Sequence, residues 1–247
     1  MATPDLTVSS QPPLTTAYNE RLFGRPGLRR SYHMARFNWV RGKVEANALD
    51  ELRLIELGCY DGRLFETLGS KVTEYVGLDS ELSLGVEVAQ QKYAGRKDVT
   101  LIVADDPAAL RLFADNHFNA AAALETLEHV PPHLVAHYLD ELRRVTRGYL
   151  FVTVPNELGP VFLAKFLAKR LFFSGGEPYS LREIIAATFG RTRSIPRMQH
   201  KGFDYRRLLA DIGERFDIVA VEGLPKLGLP ALLSPTVAIF ARSRADA

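Results

Sequence analysis

The sequence predicts an α/β protein whose sheet is mostly parallel and is covered by helices on both faces. From residue 52 onward, short apolar runs alternate with segments of helical periodicity, and this alternation usually builds a parallel sheet. The chain has 247 residues, of which 47% are hydrophobic, so it can bury one sizeable core. Glycines directly after the first apolar run predict a tight turn at one edge of that sheet.

Five strands and three helices are predicted in the first two thirds of the domain. The strands are expected at Leu52–Leu57, 74–79, 99–105, 118–124 and 149–155, where Pro155 ends the fifth. The helices are expected from a cap at Asp61 to about Leu68, at Leu82–Tyr93 and at 133–146. Alanines weaken the strand propensity of 118–124, but turn residues on both sides support it.

The remaining segments extend this core. Residues 1–17 are polar and proline-rich, and we expect a flexible tail before a single domain at 18–247. Residues 18–48 have helical spacing and many arginines, and predict a helical cap. Residues 156–200 interrupt the alternation and predict an inserted helical lid over the carboxyl ends of the strands, where open α/β sheets bind ligands. A helix at 203–214 and two final strands follow, for seven strands in all, and the last two are expected to pair as a hairpin at the sheet edge.

Composition limits the classes of partner. The net charge is only +2, so no nucleic acid partner is expected. Cys59 is the only cysteine, which excludes an intrachain disulfide and fits a reducing cytoplasm. No signal peptide is evident, and the apolar run near the end is broken by prolines and too short to span a bilayer. We expect a cytoplasmic protein that is at most peripherally associated with a membrane.

The turn within "RLIELGCYDGRL", residues 53–64, indicates the ligand. A dinucleotide pattern starting at Gly58 would need glycine where the chain has Tyr60 and Arg63. Asp79 closes the second strand 23 residues after Glu56, and an acid at that position suits the two hydroxyls of a ribose. Glu56 beneath the turn suits either a cationic ligand or a structural bond to loop amides. The ligand is therefore expected to carry a ribose and no pyrophosphate.

At these residues the sequence resembles the small-molecule branch (type-11/12-like) of the class I S-adenosylmethionine-dependent methyltransferases. The first motif is "ELGCYDG", with Tyr60 in place of the middle glycine, and "YVGLD" and "LIVADD" resemble the second and third. "FNAAAALETLEHV" and "RRVTRGYLFVTVPN" match the fourth and fifth strands of that family. Five motifs in order are far more specific than any one of them. The resemblance implies a Rossmann-like sheet, S-adenosylmethionine as cofactor and S-adenosylhomocysteine as product.

The resemblance also implies which residues bind the cofactor. Asp79 would bind the ribose, Asp105 would accept from the adenine amino group, and the amide of Asp106 would reach the ring. Cys59 would contribute its amide rather than its thiol. The full set implied to bind the cofactor is Glu56, Gly58, Cys59, Tyr60, Gly62, Asp79, Ser80, Asp105, Asp106 and Glu125.

Histidines supply the candidate catalytic groups. His129, His133 and His137 are spaced four apart, but Pro131 and Pro132 interrupt a continuous helix, so we expect no metal site and an activity that is independent of metal ions. His129 follows the fourth strand, where the family places groups near the transferred methyl. His200 follows the inserted segment. Either imidazole can accept a proton from an acceptor hydroxyl.

Methyl transfer to a small molecule or a glycan, at a hydroxyl, is the predicted reaction. Alternatives are a nucleic-acid or protein methyltransferase and a non-catalytic cofactor-binding scaffold, with a nicotinamide enzyme more distant. The Asn/Asp-Pro-Pro-aromatic motif of amine-methylating nucleic-acid enzymes is replaced by "LETLEH". The basic segment 21–43 and the helix "FLAKFLAKRLFF" are either solvated faces or contacts to a phosphate-bearing, lipid-linked acceptor; the helix also suits a lid or a partner surface. Asn156 and Glu157 either contact the substrate or shape the turn after Pro155.

Overall fold

A computed structural model describes residues 20–80, 85–172, 178–198 and 200–244. The tail predicted at 1–17 lies outside the described residues. So do most of the "SGGEP" connection and the first residues of the helix predicted at Leu82–Tyr93.

Seven strands form one sheet in the order β3-β2-β1-β4-β5-β7-β6. The first five are parallel, and β7 runs antiparallel between β5 and the edge strand β6. Both the mostly parallel sheet and the terminal hairpin are confirmed. The strands are β1 Leu52–Leu57, β2 Val72–Asp79, β3 Val99–Val103, β4 Phe118–Leu124, β5 Thr146–Pro155, β6 Phe216–Leu224 and β7 Thr236–Ser243.

Helices cover both faces of the sheet. Apolar side chains of α1, α2 and α3 pack on one face, and those of α4 and α7 pack on the other. The inserted segment contributes α5 and α6. The helices are α1 Leu28–Ala46, α2 Arg63–Leu68, α3 Gly85–Lys92, α4 Pro132–Val145, α5 Gly159–Phe172, α6 Leu181–Thr188 and α7 Tyr205–Arg215.

Strand β4 shows tertiary burial prevailing over local propensity. Its four alanines, Ala120 to Ala123, are all fully buried between β1 and β5. Alternate alanines face the two helical layers, Ala120 and Ala122 one way and Ala121 and Ala123 the other. Small side chains at the centre of the sheet allow both layers to approach closely, which explains a strand that alanine by itself disfavours.

Helix α2, which follows the turn after β1, has a different N-terminal cap residue from the one predicted. Its N-terminal cap is Gly62, with φ of 73°, rather than Asp61. The Asp61 carboxylate instead accepts a hydrogen bond from Arg63 Nη2 at 2.7 Å. The prediction of an Asp61 cap is therefore wrong, because a left-handed glycine turns the chain into α2 and leaves Asp61 facing Arg63.

Helix α1 is part of the core rather than only a cap. Phe37, Trp39, Val40 and Val44 are buried against the sheet, and Trp39 Nε1 donates to Glu222 Oε2 at 2.5 Å. Lys43 Nζ lies 3.1 Å from the same carboxylate. These contacts fix α1 to the edge strand β6, so the other end of α1 is positioned over the carboxyl ends of the strands.

The inserted segment has a small core of its own. Phe162 and Phe166 of α5 pack with Tyr179 and with Ala187 of α6. Asn156 is fully buried, and its Nδ2 donates to Leu232 and Ser234 carbonyls, so it shapes the turn after β5. Within the described residues, no helix combines the length and apolar character needed to cross a bilayer.

Candidate active site

A cavity of about 550 Å³ lies at the carboxyl ends of β1, β2, β3 and β4. Because parallel strands end at the same edge, the sequence-predicted residues converge there. Gly62 and Asp106 are not among the described residues that line it. The predicted residues that do line it are Glu56, Gly58, Cys59, Tyr60, Asp79, Ser80, Asp105, Glu125, His129 and His200.

The backbone of the turn after β1 packs closely against the loop after β4. Gly58 has φ of 71°, and a Cβ there would lie 2.1 Å from Thr126 Oγ1 in the loop after β4. Tyr60 has φ of 47°, the left-handed conformation that glycine adopts most easily. Its ring packs where a Cβ on Gly85 would lie. The departure from the family's glycine pattern therefore leaves the turn's backbone conformation in place.

Hydrogen bonds tie this turn to β2. The amides of Gly58 and Cys59 both donate to Leu78 O, at 2.7 and 3.1 Å. Asp79 accepts from Tyr60 N through Oδ2 and from Ser80 N through Oδ1, both at 2.7 Å. Asp79 thus orients the turn while also facing the cavity. The Cys59 thiol is buried, and burial holds its pKa well above the usual range.

Glu56 lies beneath the turn and is only 2% exposed. Its Oε2 accepts a hydrogen bond from the Tyr75 hydroxyl at 2.6 Å. Burial, opposed by that hydrogen bond, raises the pKa of Glu56 to about 8, with Asp61 and Asp79 adding repulsion. This carboxyl is therefore protonated at neutral pH until a positive charge enters the cavity.

The two aspartates after β3 differ in position. Asp105 is exposed and lines the cavity. Asp106 caps the short 3-10 turn Pro107–Leu112, since its Oδ1 accepts from Ala108 N at 2.7 Å. The Asp106 side chain therefore stabilises the loop that presents Asp105.

The loop after β4 brings two carboxyls and two imidazoles together. Glu125 has φ of 56°, and its Oε1 is buried without a hydrogen-bond partner among the described residues. Glu128 is fully buried, and neither of its carboxylate oxygens has a hydrogen bond to that part of the chain. His129 and His200 face each other edge to face, with ring centroids 4.7 Å apart. Glu128 was not predicted from the sequence, although its spacing of three from Glu125 was visible.

Burial controls the protonation of these groups. It raises the pKa of Glu125 and holds that of Glu128 well above the usual range, where Glu125 adds repulsion. It lowers the pKa of His129, with help from the Arg197 charge. It also lowers the pKa of His200 to about 4, with smaller effects from His129 and nearby lysines. Both imidazoles are therefore neutral at pH 7.

Helix α1 supplies cavity residues that the sequence did not single out. Tyr32, His33 and Arg36 line the side of the cavity next to Glu125 and Glu128. The Tyr32 hydroxyl lies 3.1 Å from Thr236 Oγ1 of β7. The only sequence signal was helical spacing with many arginines, which does not specify the face that turns inward.

The histidines at 133 and 137 are placed elsewhere. Both are exposed on α4, and neither is among the described residues lining the cavity. His137 Nδ1 lies 3.1 Å from His133 O, as expected for neighbours on one turn of helix. The Glu157 carboxylate already has a partner within the protein, because its Oε1 accepts a hydrogen bond from Lys165 Nζ at 2.6 Å.

The order of groups along the sheet edge fits S-adenosylmethionine. Following the strands β3, β2, β1 and β4, the cavity presents Asp105, Asp79, the Gly58 turn and Glu125. This order of groups matches the order of parts in S-adenosylmethionine, which are the adenine, the ribose, and the amino-acid tail with its sulfonium and methyl group. The acid beneath the turn faces the part of the ligand that carries positive charge.

Comparison with known proteins agrees with this geometry. A family model described as a methyltransferase domain matches residues 54–148. A search of curated protein sequences finds no match. Among solved structures, the magnesium protoporphyrin IX methyltransferase ChlM of Synechocystis PCC 6803, with bound SAH, is 18% identical with a TM-score of 0.60, over 93% of this chain and 95% of that one.

Two further structures share the fold. The methyltransferase domain of bacterial CtHen1 is 16% identical, with a TM-score of 0.57, over 85% of this chain and 99% of that one. The CurJ carbon methyltransferase is 15% identical, with a TM-score of 0.57, over 94% of this chain and 58% of that one. The family model over residues 54–148, the sheet order and the turn after β1 agree, and together they support a class I S-adenosylmethionine-dependent methyltransferase with S-adenosylmethionine as its cofactor.

Proposed function

We propose that the chain methylates a hydroxyl group of a small molecule or a glycan. The observation that carries this proposal is the division of the cavity into two ends. Turn and strand-end residues suited to the cofactor lie at β1 to β3, while Glu125, Glu128, His129 and His200 lie beyond the expected methyl position. A hydroxyl acceptor must lose a proton as it is methylated, and this end contains the polar groups able to assist that loss.

The protein's main contribution is orientation. The sulfonium of the cofactor supplies an already activated methyl group, so the site must align the acceptor oxygen with it and exclude water. The buried turn after β1 fixes one reactant. Tyr32 and Arg36 from α1 and His200 from the inserted segment surround the position of the other.

A glycan or glycolipid is the acceptor class that the surface favours. Helix α5 exposes Lys169 and Arg170 beside Leu167 and Leu171, and Leu171 is 75% exposed. Helix α6 and the residue directly after it add three exposed apolar side chains, Leu181, Ile185 and Phe189. Cationic and apolar groups on neighbouring helices suit an anionic membrane surface, from which a phosphate-bearing, lipid-linked acceptor can enter the cavity.

The test is transfer of a labelled methyl group from S-adenosylmethionine to fractionated metabolites and envelope glycolipids, with mass spectrometry of the product. The expected product is a methyl ether. Labelling of nucleic acid or protein instead would contradict the proposed acceptor class. Cofactor binding without transfer to any fraction would support a scaffold.

A further inference from the structure

Three potential ligand atoms of different side chains converge at the acceptor end of the cavity. One carboxylate oxygen of Glu128 and one ring nitrogen each of His129 and His200 all lie within 4.8 Å of one another. Glu128 Oε1 is 4.0 Å from His129 Nε2. The two imidazoles come from segments that are 71 residues apart in the chain (200 − 129), so the fold, not local sequence, brings them together.

The protein leaves these groups without partners. Both oxygens of Glu128 and Nδ1 of His200 are buried and make no hydrogen bond within the described residues, and the same holds for Oε1 of Glu125 in the same cavity. Native proteins seldom leave buried carboxylates unpaired, because the desolvation cost is not recovered. Three carboxyl oxygens and one imidazole nitrogen lining one cavity indicate a ligand with positive charge.

Burial raises the pKa of Glu125 and of Glu128, and the nearby charge of Arg36 offsets this rise only in part, without an ion pair to either carboxyl among the described residues. Arg197 Nη2 donates to the backbone oxygen of Glu128 at 2.6 Å, and its guanidinium lies over the Phe203 ring. Arg36 lies over Phe37, with its own Nε buried and unpartnered. Lys165 pairs with Glu157, and Lys169 is exposed. Among the described residues, His129 Nε2 approaches the Glu128 carboxyl to 4.0 Å, and because this imidazole is neutral at pH 7 the contact is not an ion pair.

We propose that Glu128, His129 and His200 bind a divalent ion of the first transition row, with Glu125 facing it from the end of β4. Imidazole nitrogens combined with carboxylate oxygens suit Zn²⁺, Mn²⁺, Fe²⁺ or Co²⁺, whereas Mg²⁺ and Ca²⁺ prefer oxygen alone. Bonds of about 2.0–2.2 Å place three ligand atoms of one ion about 2.8–3.8 Å from one another, so the cluster, whose atoms lie within 4.8 Å, contracts when an ion binds. His129, with 48% of its side chain exposed, can rotate to provide it.

The protonation states agree with this assignment. Metal binding needs neutral imidazoles and an ionised carboxylate. The depressed pKa of each histidine keeps it neutral at pH 7, and the raised pKa of Glu128 means that ion binding displaces a proton from it.

The consequence for catalysis rests on the proposed function. An ion held by Glu128, His129 and His200 would supply a positive charge at the acceptor end of the cavity, and that charge would make an acceptor hydroxyl more acidic than it is in water. In the reaction the acceptor O–H proton leaves to solvent, the O–CH₃ bond forms and the S–CH₃ bond breaks. The electron pair of the broken bond remains on sulfur, giving neutral S-adenosylhomocysteine.

Calorimetric titration of chelator-treated protein with Zn²⁺ and with Mn²⁺ tests the site directly, with Mg²⁺ for comparison. One ion per chain is expected for both transition metals and weak binding for Mg²⁺. Glu128→Gln and His200→Gln should each weaken binding by roughly tenfold or more, since each removes a ligand. The double variant His133→Gln with His137→Gln should bind as the wild type, because that pair is an exposed alternative on α4.

Folding and function are checked separately. S-adenosylhomocysteine affinity should be retained in Glu128→Gln and His200→Gln, which shows that the variants fold. Absence of stoichiometric Zn²⁺ or Mn²⁺ binding, or equal loss in the His133/His137 variant, would overturn the metal site. Full methyl transfer by metal-free protein would overturn its catalytic role alone. Tight ion binding with no methyl transfer to any hydroxyl acceptor would retain the site and contradict the proposed function.

Discussion

The two ends of the cavity differ in whether their polar groups are satisfied by the protein. At the cofactor end, both Asp79 oxygens accept loop amides, the amides of Gly58 and Cys59 share the Leu78 carbonyl, and Glu56 holds Tyr75. At the acceptor end, Glu125, Glu128 and His200 retain buried atoms without partners. The turn and strand-end groups just named are paired before ligand binds, whereas the carboxyls of the second region face groups that the described residues do not supply.

This difference implies different responses to mutation. Changes at the cofactor end should cost stability together with cofactor affinity, since the same hydrogen bonds serve both. Changes at the acceptor end should alter ligand binding while leaving the free energy of unfolding nearly unchanged, or even raised, because they remove buried unpaired groups.

The largest effect is expected for Gly58→Ala. The new Cβ would lie 2.1 Å from Thr126 Oγ1 at a φ of 71°, so clash and backbone strain add, and the free energy of unfolding should fall by about 2–4 kcal/mol. Chemical denaturation measures this fall, and cofactor binding should be lost with it. Gly69→Ala is the matched control, since Gly69 has φ of 56° and nothing within 4 Å of an added Cβ. Equal effects of the two substitutions would show that the contact with Thr126 is unimportant.

Asp79→Ala should weaken cofactor binding by roughly tenfold to a hundredfold, because it removes the proposed ribose partner and the acceptor of two turn amides. Isothermal titration with S-adenosylhomocysteine measures the affinity. Asp106→Ala is the control, because it deletes a cap and should cost about 1 kcal/mol of stability with little change in affinity. A larger loss of affinity in Asp106→Ala than in Asp79→Ala would reverse the assignment.

NAD should bind far more weakly than the methyl donor.

Glu56 should couple cofactor binding to pH. Its folded pKa of about 8 exceeds the ordinary 4.5, so the folded state holds an extra proton between these values. Its contribution to stability is therefore complete below about pH 4.5 and is lost as the pH rises through 8. A cationic ligand favours the ionised form, so S-adenosylmethionine affinity should rise by up to about tenfold from pH 6.5 to 7.5, with proton release. Glu56→Gln should remove this pH dependence; a wild-type slope in the variant would exclude Glu56 as its source.

The smallest effect is expected at the exposed face of the inserted helices. Lys169→Glu should reduce flotation with anionic vesicles by roughly fivefold or more, since each basic residue near such a surface contributes about 1 kcal/mol. Lys165 is a poor probe, because its Nζ already pairs with Glu157. Arg111→Glu, at an exposed arginine on the turn after β3, is the control. If wild-type protein does not float with vesicles at low salt, α5 and α6 form only a lid.

Much of the fold was predictable because local patterns act through local geometry. Alternating strands and helices, glycines at the turn after β1 and acids at strand ends were sufficient to place Asp79, Asp105 and the Gly58 turn at one edge. The Asp61 cap failed because Gly62 took the left-handed position. Tyr60 made the glycine pattern harder to identify in the sequence. It does not change the turn in the structure, because its backbone adopts the left-handed conformation that glycine favours.

The sequence by itself determined the fold class, the family and the cofactor, because these depend on periodicity and on residues within one strand–turn–helix unit. Only the tertiary structure decided the acceptor end. Arg197 bonds to Glu128 O, and the turn between Met198 and Lys201 carries His200 towards His129. Helix α1 brings Arg36 to the same cavity. Such proximity depends on how distant segments pack on the sheet, and spacing along the chain does not encode it.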